Sequence, residues 1–192
     1  MQDVSSTPTR RDFICVSAGA FVAVGSGAAL WPLIHQMNPH PGTPPPERCT
    51  VDLAPIEPGQ AVTVAWRGQP VFVRHRTREE IERARGVRLG GLKDPYARNA
   101  LLPARAPAHD ENRTLAEHPE WLVVIGLCTH MNCVLMASDR ALRDADNEAW
   151  FCRCHAARFD LAGRVQSGPA GTNLPVPPYR FVTPGKIEIG EA

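Results

Sequence analysis

The chain lacks an excess of either charge. Lys+Arg is 21, Asp+Glu is 20 and the formal net charge is +1. A general nucleic-acid binder needs a basic excess, so that class is excluded. Cysteine is scarce too. Six in 192 residues are too few for a disulfide scaffold. No internal repeat stands out, which removes repeat arrays. Charged residues make up 21% against 43% hydrophobic, so the chain is not disordered as a whole. Proline is the opposite case. Nineteen prolines are about twice the ordinary usage, which favours loops and short strands over a helical bundle. The length allows about one domain of ordinary size plus an appendage.

One long apolar run is present. Residues 13–34 read FICVSAGAFVAVGSGAALWPLI and carry no charge. As a helix this run is roughly 33 Å long, enough to cross a hydrocarbon core of about 30 Å. Pro32 stands near its far end, where a helix can stop. Arg10 and Arg11 precede the run, and no Lys or Arg follows until Arg48. The positive-inside rule then leaves residues 1–12 in the cytoplasm and sends the rest outside. The flank Thr9-Arg10-Arg11-Asp12-Phe13-Ile14 resembles a twin-arginine export signal. Cleavage near Ala18-Gly19-Ala20 is disfavoured, because so little apolar sequence would precede the cut. Residues 35–49 hold five prolines and one glycine, so they read as an extended, semi-rigid linker of roughly 3.1 Å per residue.

Residues 50–192 form a head long enough to bury a core. Residues 62–66 alternate, Arg67-Gly68-Gln69 turns, and 70–74 returns as a second strand. Thr77-Arg78-Glu79-Glu80 is a capping box for a helix over 78–85 closed by Gly86, and the charges of 79–85 read as a solvated face. Residues 89–113 give no clear register and read as an insertion or long loop. Residues 121–126 are an apolar strand leading into Cys128, and Trp150-Phe151 leads into Cys152. A tight hairpin is expected over 159–165, with closing strands over 180–182 and 186–189. The class is mainly antiparallel β with a helical anchor.

Four cysteines crowd between Cys128 and Cys154. They fall in two boxes, Cys128-Thr129-His130-Met131-Asn132-Cys133 and Cys152-Arg153-Cys154-His155. Each box supplies two cysteines and one histidine, and each follows an apolar strand. Four such groups suffice for a tetrahedral zinc or for a two-iron cluster. One symmetric partition takes Cys128, His130, Cys152 and His155 as ligands. Cys133 and Cys154 are then left for each other, a bridge worth roughly 3 kcal/mol on the chain-entropy view.

The paired boxes resemble the Rieske iron–sulfur proteins of ubiquinol–cytochrome c reductase, whose pattern is C-T-H-x-G-C followed by C-x-C-H-G-S. The resemblance extends over the RRDF flank, residues 36–39, 66–74 and 121–126, Gly168-Pro169-Ala170 and Asn173-Leu174-Pro175, stretches that look like those of alpha-proteobacterial members. It implies a Rieske-type antiparallel β sandwich head on a single N-terminal transmembrane helix. It implies one [2Fe-2S] cluster, with Cys128 and Cys152 on one iron and His130 and His155 on the other. A Cys133–Cys154 disulfide follows from the same resemblance, and Met131, Ala157, Phe159, Gly168 and Pro169 fall around the cluster. Two ferric ions, two sulfides and two thiolates sum to zero charge, so such a cluster accepts an electron more readily than an all-cysteine one. Reduction makes it more negative and strengthens the hold of the liganding imidazoles on a proton at their outer nitrogens.

The implied activity is uptake of one electron, coupled to a proton, from quinol, with His155 contacting the quinol, and delivery of that electron to a c-type cytochrome. The implied partners are cytochrome b and the c-type cytochrome subunit in a dimeric complex of the bacterial inner membrane, with the head in the periplasm. The alternative is a Rieske subunit of another exported oxidoreductase of arsenite-oxidase-like type.

Several positions depart from the family. C-P-C-H-G-S-H-Y-D reads here Cys152-Arg153-Cys154-His155-Ala156-Ala157-Arg158-Phe159-Asp160. The hydroxyls that bond a cluster sulfide and a ligand sulfur are missing at Ala157 and Phe159, which implies a low-potential centre. Asn132 replaces a glycine, and asparagine tolerates positive φ. Gly171 replaces a proline, which implies a looser third loop. Cys49 reads as a linker residue and Cys15 as apolar filler. His35, His40, His75, His109 and His118 read as surface or structural.

Overall fold

The computed structural model describes residues 9–37, 47–137 and 148–190. The chain divides into two compact units, Met1–Pro44 and Pro45–Ala192.

In the first unit, helix α1 spans Arg10–His35. Thr9 caps it: its side chain accepts from the Asp12 N–H, and Asp12 accepts in return from the Thr9 N–H at 2.8 Å. That reciprocal pair satisfies two orphan donors and fixes the start beside the two arginines. Pro32 lies inside the helix, which ends one turn later at His35. A proline this near the end removes one intrahelical bond, and the last turn still closes through the Gln36 N–H to the Pro32 carbonyl at 2.9 Å. The helix is long and apolar enough to cross a membrane.

The second unit is built of antiparallel sheets. The first has strand order β1-β10-β9, with β1 Cys49–Asp52, β9 Tyr179–Thr183 and β10 Lys186–Ile189. The second is β2-β3-β4, with β2 Ala61–Trp66, β3 Gln69–His75 and β4 Trp121–Ile125. The third is β5-β6-β7-β8, with β5 Met136–Ala137, β6 Glu148–Phe151, β7 Arg158–Asp160 and β8 Val165–Ser167. The β2–β3 hairpin turns on Arg67 (φ 49) and Gly68 (φ 74), the two positive values that match strand twist in a two-residue turn. Val71, Val73, Val123 and Val124 are all fully buried, so β3 and β4 carry apolar side chains on both faces. Phe72 stacks on Trp150 at 4.7 Å and 5°, which joins the second sheet to the third.

Helix α2, Arg78–Arg85, has the expected capping box and ends at Gly86. Its charged face is not wholly solvated. Glu80 is buried and pairs with Arg74 of β3 at 2.6 Å, because the capping carboxylate faces the sheet.

Residues 89–113 are not a free insertion. Among the described residues they hold two single 3-10 turns, Leu89–Gly91 and Asp110–Asn112. They are bound to the head by buried polar groups. Arg113 donates to the carbonyls of Ala162 (2.8 Å), Leu174 (2.7 Å) and Ala97. Arg76 pairs with Asp110 at 2.6 Å, and Arg164 with Asp160 at 2.6 Å. Arg164 also donates to the Ala84 and Ala108 carbonyls. These pairs satisfy backbone carbonyls that no sheet reaches.

Candidate metal centre

The first box hangs from the end of β4. Its neck is closed by the Leu127–Val134 bridge and by the Leu135 N–H to the Gly126 carbonyl at 2.9 Å. Inside the neck the Cys128 N–H donates to the Cys133 carbonyl (2.8 Å) and the Asn132 N–H to the Cys128 carbonyl (2.9 Å). The second box spans the gap between β6 and β7 and is closed by the Cys152 N–H to the Ala157 carbonyl at 2.8 Å. Each loop reverses on a residue with positive φ at the same place, four after its first cysteine: Asn132 (φ 55) and Ala156 (φ 56). Sequence reasoning foresaw the first and passed over the second, although the same family glycine is replaced there. Alanine has no side-chain partner to ease a left-handed backbone, which costs about 1–2 kcal/mol.

A third segment, 168–172, lies against both boxes. Gly168 has φ 85, and a Cβ there would lie 2.6 Å from Ala157 Cα, so only glycine permits the approach. Thr129 Oγ1 donates to the Thr172 carbonyl at 2.6 Å. Ala157 and Phe159 are fully buried beneath the second box. Met131 is 66% exposed, and Pro169 is exposed as well.

The donors are sorted by depth. Cys128 and Cys152 are each 1% exposed, whereas His130 and His155 are exposed. The two imidazoles lie with ring centroids 4.8 Å apart and planes at 89°. Cys133 and Cys154 form a disulfide between the boxes. The sulfurs of Cys133, Cys152 and Cys154 lie within 4.8 Å of one another. The disulfide is therefore packed beside Cys152, and its own two sulfurs are spent on each other. Burial pushes the Cys128 thiol up, and the neighbouring Cys152 thiol adds to the rise. A thiolate at that depth needs a cation beside it. Two buried thiols beneath two surface imidazoles fit an iron pair held by sulfur on the inner side and nitrogen on the outer.

The remaining cysteines and histidines lie in other settings. Cys15 is exposed on α1 and Cys49 is half-buried at the start of β1. His75 stacks on Trp121 at 4.2 Å and bonds the Ile56 carbonyl through Nδ1. His118 stacks on Phe181 at 3.8 Å. His35 and His109 are exposed. His40 lies outside the described residues.

Comparison with known proteins agrees with this geometry. The family described as "Rieske [2Fe-2S] domain" matches residues 102–178, and "Ubiquitinol-cytochrome C reductase Fe-S subunit TAT signal" matches residues 1–40. The ubiquinol-cytochrome c reductase iron-sulfur subunit of Bradyrhizobium diazoefficiens is 46% identical, with 95% of each chain covered. That of Cereibacter sphaeroides is 45% identical over 95% of each chain, and that of Rhodospirillum rubrum 42% over 98% of each. A solved chain of "Hyperthermophilic respiratory Complex III" covers 91% of this chain and 98% of its own at a TM-score of 0.43 and 20% identity, too loose a likeness to carry the fold assignment. At more than 40% identity along nearly its whole length, with both cysteine–histidine boxes in place, the chain belongs to the ubiquinol–cytochrome c reductase iron–sulfur subunit family and carries a Rieske [2Fe-2S] domain.

Proposed function

We propose that this chain, as the iron–sulfur subunit of a cytochrome bc complex, takes one electron from quinol together with a proton, passes the electron to a c-type cytochrome and releases the proton to solvent, while the quinol's second electron goes to cytochrome b. The observation that carries the reading is the sorting of donors by depth, buried Cys128 and Cys152 beneath exposed His130 and His155. Cys128 and Cys152 hold one iron, and His130 and His155 hold the other. When bound, the cluster supplies a one-electron acceptor of zero net charge whose reduction favours protonation of its imidazoles.

His155, exposed on the second box, accepts the quinol hydroxyl's hydrogen bond at its outer ring nitrogen and takes up the proton there. The disulfide between Cys133 and Cys154 holds the two boxes in register. Ala157 and Phe159 keep water from the sulfur side. Residues 1–12 stay in the cytoplasm, 13–34 cross the inner membrane, the stretch between α1 and β1 is the linker, and the head, whose first strand begins at Cys49, lies in the periplasm. Its partners are cytochrome b and the c-type cytochrome of a dimeric complex.

Mild detergent extraction through a tag on this chain tests the reading. Cytochrome b and a c-type cytochrome are expected to co-purify, and added quinol is expected to reduce the cluster, read by its low-temperature EPR signal. Co-purification of a molybdenum subunit instead, or a signal that quinol cannot elicit, contradicts it.

A further inference from the structure

We infer that Lys93 is a positioning residue that ties segment 168–172 down over the ligand boxes and so seals the buried side of the site. The inference rests on the iron–sulfur reading above.

Lys93 Nζ donates to the Gly168 carbonyl at 2.7 Å and to the Ala170 carbonyl at 3.1 Å. A charged donor shared by two carbonyls outweighs neutral bonds of the same length. Among the described residues, no backbone group of 168–172 pairs with another backbone group. Its polar ties come from side chains: Lys93 at Gly168 and Ala170, and Thr129 at Thr172. The contact of Gly168 with Ala157 keeps the segment from moving inward. Against lifting away, the Ala170 side chain is buried in the core, and the bonds from Lys93 add to that packing on the carbonyls of Gly168 and Ala170.

Gly171 makes such a tie necessary. A Cβ at Gly171 would meet nothing within 4 Å, and its φ is outside the left-handed region. Neither space nor backbone conformation demands glycine there, so the residue adds freedom that the segment does not use. The root of the lysine arm is itself fixed. Asp94, next in sequence, is buried and accepts from the Asn173 N–H at 2.9 Å, and Asn173 Nδ2 also donates to the Asp94 carbonyl at 3.0 Å. Lys93 is thus clamped at its base to the residue that follows the segment it holds.

The test uses the full-length, cluster-loaded chain in detergent. Lys93→Met is expected to speed protease cleavage within 168–172 about tenfold, the factor that corresponds to losing about 1.4 kcal/mol of hydrogen bonding. Bleaching of the cluster by a chelator is expected to accelerate by a similar factor. Lys93→Arg is expected to restore both rates. Should Lys93→Met assemble no cluster, Lys93→Gln is read in the same way. Unchanged cleavage, faster cleavage without faster bleaching, or failure of the arginine to restore the rates overturns the role of Lys93. An EPR signal that persists through such a failure leaves the iron–sulfur reading standing, whereas its absence from the parent chain removes that reading itself.

Discussion

The two ends of the head are held together by different forces. Around residues 89–113 the backbone is irregular, yet its carbonyls are met by buried guanidinium groups: Arg113, Arg76 and Arg164 are all 2% exposed or less. At the ligand boxes the side chains bond little to one another. Order there comes from a disulfide, short loop-closing N–H···O bonds and two left-handed residues. The polar end holds its shape through interactions complete in the protein itself. The metal end is shaped by its backbone and keeps two thiols buried and two imidazoles exposed.

The largest test of that contrast is Arg113→Met. It leaves the carbonyls of Ala97, Ala162 and Leu174 buried without a donor, and denaturant melts are expected to show a loss of about 3–5 kcal/mol. Burial pulls Arg113 down to about 10, still charged at neutral pH, so a neutral replacement removes a real cation. An effect below about 1 kcal/mol would erase the distinction between the two ends.

Next in size are the missing hydroxyls. Ala157→Ser and Phe159→Tyr are each expected to raise the midpoint potential. If one hydrogen bond to a charged cluster is worth about 1–2 kcal/mol, each shift is roughly 40–90 mV at 59 mV per factor of ten. The parent chain is expected to titrate below ordinary ubiquinol-linked members. A parent midpoint equal to theirs contradicts this account.

Ala156→Gly addresses the strain at the second box. Relief of a left-handed alanine is expected to stabilise the head by about 1 kcal/mol, whereas Asn132→Gly should change it by less. Equal effects in thermal melts would mean that the two loops are not equivalent in shape.

The smallest expected effect is acid sensitivity at Asp94. Burial alone would raise its carboxyl. The hydrogen bonds from Arg98 and from the Asn173 and Tyr96 N–H groups outweigh that and hold it below the usual range. Its folded value is lower than its unfolded one, so its contribution is complete above the unfolded value of about 3.9 and fades as pH falls through the folded value. Melts of Asp94→Asn and the parent are expected to differ at neutral pH and to converge at strongly acid pH.

The local features were legible before the structure. The Thr77–Glu80 box, the Arg67-Gly68 turn and both ligand boxes lie within a few residues of one another, so spacing reports them. The buried arginines were not, because all their partners but Asp160 lie 16 to 80 residues away and many are carbonyls, which composition does not mark. Glu80 misled for a related reason: a charged residue in a short helix looks solvated until the arginine opposite is placed. Ala156 was the avoidable omission, since its position repeats that of Asn132. Lys93 gave no signal, as a lone lysine in an irregular segment has no pattern to join.

Pulsed EPR of the reduced full-length chain tests the central claim most directly. The account predicts two histidine nitrogens coupled to the cluster spin, with His130→Cys and His155→Cys each removing one of them or preventing assembly. A signal with no nitrogen coupling, or an iron-free protein loaded with a redox-inert metal, would contradict it.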